Sequence, residues 1–343
     1  MKTKFRSILI LRFSSIGDIV QTTSVVGTLK FYFPDAIIDF MTLSKFAPLL
    51  KDHKKINNIH SVDIKDGYLK LKKIGLNINK LDYDLVIDLH NSTRSKIILS
   101  SIRRIKKLRL PKPRWKRFNL FMFHLNFFSK NFSVRTWLHD PLKDLFPLGY
   151  KMAKTHLNIS DSEKYNGLTY LKNYNVEGNY YVVTPGAAWS QKRWLANHYS
   201  EVIDRINKKY SLSAVIIGGK RDRICDQIYS KTHTNVVNIK GKTNLRESLA
   251  IVSQADFVLG NDTGFLHAGE SLGVSAITIL GPTSRETGAG IFLKNSSVIE
   301  NKTLWCRPCS QNGSVPCYRR EQYCMSGIKP DMIMHAVSKL NLQ

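Results

Sequence analysis

Acidic side chains are scarce in this sequence. Asp and Glu number 26 against 52 Lys and Arg, a formal charge of +26 at pH 7. That imbalance exceeds what solubility asks of a surface, and it makes an anion the expected partner: nucleic acid, an anionic membrane surface or a phosphorylated substrate. Long apolar runs are also missing. No uninterrupted stretch approaches the roughly 20 residues that a membrane-crossing helix needs. The apolar run Ile8 to Leu11 is cut by Arg12 and followed by Ser-Ser-Ile-Gly-Asp with no small-residue cleavage site, so a secretory leader is not expected. The expected compartment is the cytoplasm, where the five cysteines stay reduced. A full G-x-G-x-x-G is absent after the first strand, so a dinucleotide-binding reading there is weak.

The pattern that is present is α/β. Ser7 to Phe13 reads as a strand, Ser14 to Asp18 as a tight turn, Ile19 to Phe33 as a helix stopped by Pro34, and Ala36 to Thr42 as a second strand. Asp18 is either a helix-start carboxylate favoured by the dipole or a base at the mouth of the sheet. Leu85 to Leu89 is a further strand. A second α/β series has strands at Tyr180 to Thr184, Ser213 to Ile217, Val236 to Ile239, Ala255 to Leu259 and Val274 to Leu280. The polar stretch Asp161 to Gly178 is expected to contain the linker. This divides the chain into a first domain over 1–170, a second over 179–325 and a C-terminal helix over 326–343. With 343 residues, two domains have ample core.

The segment Gly260-Asn261-Asp262-Thr263-Gly264-Phe265-Leu266-His267 joins a buried strand to a helix. Asp262 is a plausible N-cap, and the amides after it suit an anion at the carboxyl end of a parallel sheet. An ordinary capped helix fits this turn equally well. Lys192, Asp222 and the Asp262 turn all follow strands of one series, and together they make a phosphate site more convincing than any one does.

Two further features stand apart. No acidic residue lies between Asp88 and Asp140, and Arg114, Lys116 and Arg117 belong to a basic crowd followed by Phe118, Phe121, Phe123, Phe127 and Phe128. An anionic membrane contact, a core helix beside a solvated basic loop, and single-stranded nucleic acid are all compatible with it. Cys306-x2-Cys309-x7-Cys317-x6-Cys324 has the spacing of a structural Zn²⁺ or iron knuckle, against four unrelated thiols.

Four blocks resemble glycosyltransferase family 9, the bacterial heptosyltransferases of lipopolysaccharide core assembly. They are Ile8 to Asp18, Tyr83 to Leu89, Pro185-Gly186-Ala187 with Lys192-Arg193-Trp194, and Asn261-Asp262-Thr263-Gly264 with His267 and Gly281-Pro282-Thr283. The resemblance implies a GT-B fold, two Rossmann-like domains with parallel sheets facing across a cleft. It implies ADP-L-glycero-D-manno-heptose as donor, inversion at the anomeric carbon, no cofactor for catalysis, and a lipopolysaccharide inner-core acceptor at the cytoplasmic surface of the inner membrane. Asp18 would be the base. Lys192, Asp262, Thr263, Gly264 and His267 would hold the donor phosphates, and Asp222 would meet the ribose where relatives often carry glutamate. Arg114, Lys116 and Arg117 would meet acceptor or membrane. The alternatives are a GT-B transferase with another nucleotide sugar or a protein acceptor and, without any recognised nucleic-acid motif in the chain, a basic nucleic-acid-binding protein.

Overall fold

The computed structural model describes residues 5–340 and 342. It divides into two compact units: residues 1–113 with 134–158, and residues 114–133 with 159–343. In the first unit β1 (Ser7–Leu11), α1 (Ile16–Tyr32), β2 (Ile37–Leu43), β3 (Ile59–Val62), α2 (Tyr68–Ile78), β4 (Leu85–Asp88), α3 (Thr93–Ser100) and β5 (Lys106–Arg109) follow in order. Among the described residues its sheet has five parallel strands in the order β3-β2-β1-β4-β5. Ile8 through Leu11 are fully buried, which is why the central strand reads as an unbroken apolar run rather than an alternation.

The edge strands escaped the sequence reading because they carry no apolar run. In β5, Lys106, Lys107 and Arg109 pair alongside β4, with Leu85 opposite Lys106 and Asp88 opposite Arg109. Part of the basic crowd is therefore a charged edge strand, which resists pairing with a further strand.

Next come α4 (Arg114–Phe123) and α5 (Val134–His139). The segment 114–133 clusters with the second unit, although the sequence division puts it in the first. The expected linker is also different: α6 (Asp161–Lys172) is a helix of the second unit. Ser160 caps it, its Oγ accepting from the Glu163 amide while Glu163 accepts from the Ser160 amide. Arg246 Nε donates to Glu163 Oε1 at 2.8 Å and fixes the helix to its own unit. The helix was illegible because only Gly167 and Leu171 are buried along it.

The second unit continues with β6 (Tyr180–Thr184), α7 (Ala196–Tyr210), β7 (Ser213–Ile216), α8 (Arg223–Tyr229), β8 (Val236–Asn238), α9 (Leu245–Val252), β9 (Phe257–Asn261), α10 (Gly264–Ser271), β10 (Ser275–Leu280), β11 (Ser297–Glu300), α11 (Tyr323–Ser326) and α12 (Pro330–Val337). Its parallel sheet, six-stranded among the described residues, runs β11-β10-β9-β6-β7-β8. Tyr181 stacks on Phe257 at 4.7 Å, and Trp194, Tyr199, Ile333 and Val337 join the same core. The last helix is thus packed into the second unit. No helix among the described residues is long and apolar enough to cross a membrane.

In the first unit His53 is buried, with its ring 5.7 Å from His156. Burial, then His156, lowers its pKa to about 4 from 6.5. The folded state therefore binds fewer protons than the unfolded one between those values, and stability should fall as pH drops from 6.5 to 4. The loss should reach on the order of 3 kcal/mol for this group. Urea unfolding across that range in wild type and His53→Gln checks it: the variant should lose part of the slope, and parallel curves would contradict the assignment.

Candidate active site

Parallel strands deliver their loops to one edge of a sheet, and in the second unit the carboxyl ends of β6, β9 and β10 are adjacent. Asn261, the last residue of β9, is fully buried and ties two loops together. Its Oδ1 accepts from the Trp194 amide at 3.0 Å, and its Nδ2 donates to the Pro185 carbonyl at 2.6 Å. The Lys192 loop is thereby fastened beside the Asp262 turn. Three more contacts hold that loop. Arg193 Nη2 donates to the Ala187 carbonyl at 2.8 Å, the buried Trp194 Nε1 donates to the Ile328 carbonyl at 3.0 Å, and Gln322 Nε2 donates to the Gln191 carbonyl at 2.5 Å.

Lys192 Nζ donates to Asp262 Oδ2 at 2.6 Å, and His267 Nε2 stands 3.7 Å from Asp262 Oδ1. Burial opposes the Asp262 charge, but Lys192 and then His267 more than offset it and hold the carboxyl well below the ordinary carboxylate range. The cap position of α10 is Thr263, not Asp262 as the sequence suggested. No side chain caps this helix, because the Asp262 carboxylate is spent on Lys192 and His267. Thr263 Oγ1 is buried without a protein partner, as are the hydroxyls of Thr184 and Thr283 at the ends of β6 and β10. An uncapped helix start at Gly264 with Lys192 beside it forms a cradle suited to phosphate oxygens.

Asp222 accepts from the Gly219 amide at 2.8 Å, and Arg193 Nη2 approaches it at 4.0 Å. It rests against Gly186, where an added Cβ would lie 2.5 Å from Asp222 Oδ2 and would push that carboxylate aside. Lys192, Asp222, Asp262, Thr263, Gly264 and His267 therefore belong to one set of strand-end loops in one unit.

In the first unit Asp18 lies in the first turn of α1. Its Oδ2 accepts from the Ser15 amide and Oγ, both at 2.8 Å, and Arg12 Nη2 pairs with Oδ1 at 2.6 Å. Arg12 is itself buried and donates to the Ser14 carbonyl at 3.1 Å and to the Leu89 carbonyl. Asp18 is thus both a helix-start carboxylate and a partly exposed one, oriented by a guanidinium that bridges the ends of β1 and β4. His90 follows β4 nearby, its ring 5.3 Å from Phe13. Burial, then Arg12, lowers its pKa to about 4, so it is neutral at pH 7. Arg12 and His90 were not picked out as site residues. An arginine that breaks an apolar strand at its carboxyl end was the available signal.

Arg114, Lys116 and Arg117 lie on α4, in the same unit as the cradle. The four cysteines 306, 309, 317 and 324 line one small cavity, as their spacing suggests. No group of three or more His, Cys, Asp or Glu among the described residues is placed to hold a metal ion. Arg319 Nη1 lies 3.8 Å from Cys306 Sγ and Gln322 Nε2 3.7 Å from Cys324 Sγ. Burial, then Cys306 and Cys317 nearby, raises the Cys309 thiol, and burial pushes Cys324 up to about 11.

What this segment does supply is Arg307, which no sequence signal marked. Its side chain donates to the Leu280 and Thr283 carbonyls at 3.2 Å each, to Asn301 at 2.6 Å and to Gly281, and pairs with Glu300 at 2.9 Å. It thereby fastens the loop after β10 that carries Thr283.

Comparison with known proteins gives the family and the fold. The model of glycosyltransferase family 9 (heptosyltransferase) matches residues 71–318. Lipooligosaccharide heptosyltransferase 2 of Haemophilus influenzae is 23% identical over 354 residues, covering 97% of this chain and 99% of that protein. The crystal structure of a family 9 glycosyltransferase from Veillonella parvula superposes with a TM-score of 0.80 at 19% identity, over 99% of this chain and 98% of that one. A heptosyltransferase of Escherichia coli solved with ADP-2-deoxy-2-fluoro heptose has a TM-score of 0.67 at 18% identity, over 97% and 99% of the two chains.

Arg307→Met should lower the unfolding free energy by about 3 kcal/mol or more, since it strands several strand-end carbonyls and leaves Glu300 without its buried partner. Chemical denaturation measures this. Wild-type stability in the variant would show that water satisfies those carbonyls as well.

Proposed function

The chain belongs to glycosyltransferase family 9 and is a glycosyltransferase; from that premise we propose that it moves L-glycero-D-manno-heptose from its ADP conjugate to an inner-core sugar of lipopolysaccharide, with inversion. The observation that carries the reading is the Lys192–Asp262–His267 constellation at the uncapped start of α10. Its charge and its helix start suit a diphosphate. That relatives of similar length are named for heptose transfer supports the sugar and the acceptor class.

In this reading the donor diphosphate lies across the start of α10. Lys192 and the first amides of the helix meet its oxygens, and the helix dipole adds to them. Asp262 keeps Lys192 aimed, and His267 sets the other carboxylate oxygen. Asp222 remains the residue proposed for the ribose. As an acceptor hydroxyl attacks the anomeric carbon, its proton passes to the Asp18 carboxylate. The bond from that carbon to the diphosphate oxygen breaks, and its electron pair leaves with ADP. The growing negative charge falls on groups already in place, which is the main source of rate in such a site. ADP departs without being protonated, so one carboxylate suffices, and the charge is met by lysine and amides without a catalytic metal. The site of action is the cytoplasmic face of the inner membrane, where an inner-core acceptor is made.

Two substitutions test the roles separately. Asp18→Asn should bind ADP as wild type but release it from ADP-heptose about 10²- to 10⁴-fold more slowly in the presence of acceptor. Lys192→Met together with Asp262→Asn, which avoids a buried unpaired carboxylate, should weaken ADP binding measured by calorimetry and slow transfer by roughly 10²-fold or more. Full turnover in Asp18→Asn would remove that residue from the chemistry. Preference for UDP over ADP would replace the donor.

A further inference from the structure

The segment 114–133 is the least economical surface of the described chain. Within α4 only Leu120 is buried, and just beyond it Phe128. Trp115, Phe118, Met122, Phe123, Leu125 and Phe127 are each between 47% and 63% exposed. They are not scattered. Trp115 and Phe127 lie 4.8 Å apart, and Phe118 and Phe123 5.9 Å. The helix stops as His124 takes a φ of +55°, and the loop that follows is tied down by Asn126 Nδ2 donating to Glu286 Oε1 at 2.9 Å. The His124 ring is 5.8 Å from Trp305, which is 66% exposed, and Trp305 is 6.3 Å from the exposed Tyr318. The patch therefore extends onto the cysteine segment, which sequence spacing could not show. Contiguous exposed rings of this kind mark an interface.

Charge decides the occupant. Residues 114–133 include Arg114, Lys116, Arg117 and Lys130 and no acidic residue, and Lys116 Nζ lies 5.8 Å from the Phe128 ring. Lysines are depleted from protein–protein interfaces, and a second copy of a chain with a formal charge of +26 would be repelled. Stacking on single-stranded nucleic acid uses flat rings, whereas Met122 and Leu125 offer none. Rings and flexible apolar chains flanked by cations are what an interfacial helix offers to a bilayer that carries anionic headgroups.

We infer that α4, the loop that follows it and Trp305 form a docking surface for an anionic lipid bilayer, with Trp115, Phe118, Met122 and Phe123 entering the headgroup region and Arg114, Lys116 and Arg117 meeting lipid phosphates. The inference rests on this surface alone. Vesicle binding is measured without donor or acceptor, so its failure would leave the transferase reading standing.

The test is cosedimentation of the full chain with phosphatidylcholine vesicles, with and without phosphatidylglycerol. Wild type should bind only the anionic vesicles, and less as salt is raised. Arg114→Ser with Lys116→Ser should weaken binding by about fivefold per cation removed. Phe118→Ser with Met122→Ser and Phe123→Ser should weaken it at least about tenfold, and Trp305→Ser by a smaller factor. Thermal unfolding should be unchanged in each, because these side chains are already exposed. Four results would overturn the inference. Wild type could ignore anionic vesicles, or all variants could bind equally. Alternatively, wild type could be an oligomer that the aromatic variant dissociates with no change in vesicle binding, which would give the patch to a second copy. Oligothymidylate that binds wild type and is lost in the aromatic variant while vesicle binding persists would assign the patch to nucleic acid instead.

Discussion

A carboxylate held inside a protein needs close polar company, and Asp262 has it in Lys192 at 2.6 Å and in His267 at 3.7 Å. Much of the second unit serves that arrangement. Asn261 staples the end of β9 to both halves of the loop after β6. Trp194 sinks into the core directly after the lysine, and α11 and the residues after it provide the carbonyl that accepts from its indole. Arg307 gathers the carbonyls where β10 ends. Removing any of these would leave the ion pair in place chemically but adrift geometrically.

The first unit solves a parallel problem with different parts. Its carboxylate, Asp18, lies at a helix start and is partly exposed, so it needs orientation more than neutralisation. Arg12 provides this from the strand below, while Ser15 holds the second oxygen. An arginine within an apolar strand is costly unless its donors are occupied, and the Ser14 and Leu89 carbonyls occupy them.

The legible parts of this chain were those where chemistry and periodicity coincide. The central strands are runs of apolar residues because both faces are covered, and Lys192, Asp262 and His267 follow such runs directly. The edge strands β3, β5 and β11 were not legible, since half-exposed strands need no apolar run and β5 is nearly all charge. The helix α6 hid in polar sequence because one glycine and one leucine bury most of its contact. Asp262 was misjudged as a cap because local sequence shows the amides three residues on but not a lysine 70 positions away. The cysteine spacing pointed to a shared place, which the fold provides, but spacing says nothing of whether sulfurs converge or meet an arginine and an amide instead. Trp305 meets His124 across 181 residues of chain, a distance no pattern spans.

Gly313 adopts a φ of +84°, and a Cβ there would lie 2.5 Å from Lys192 Cγ. The lysine stem is therefore laid along backbone before anything binds. A free lysine gives up about 2 kcal/mol of rotamer freedom when it is fixed. Here that loss is charged to folding. A diphosphate arriving at the cradle meets a cation whose position is already settled, and the attraction between them is left to favour binding in full.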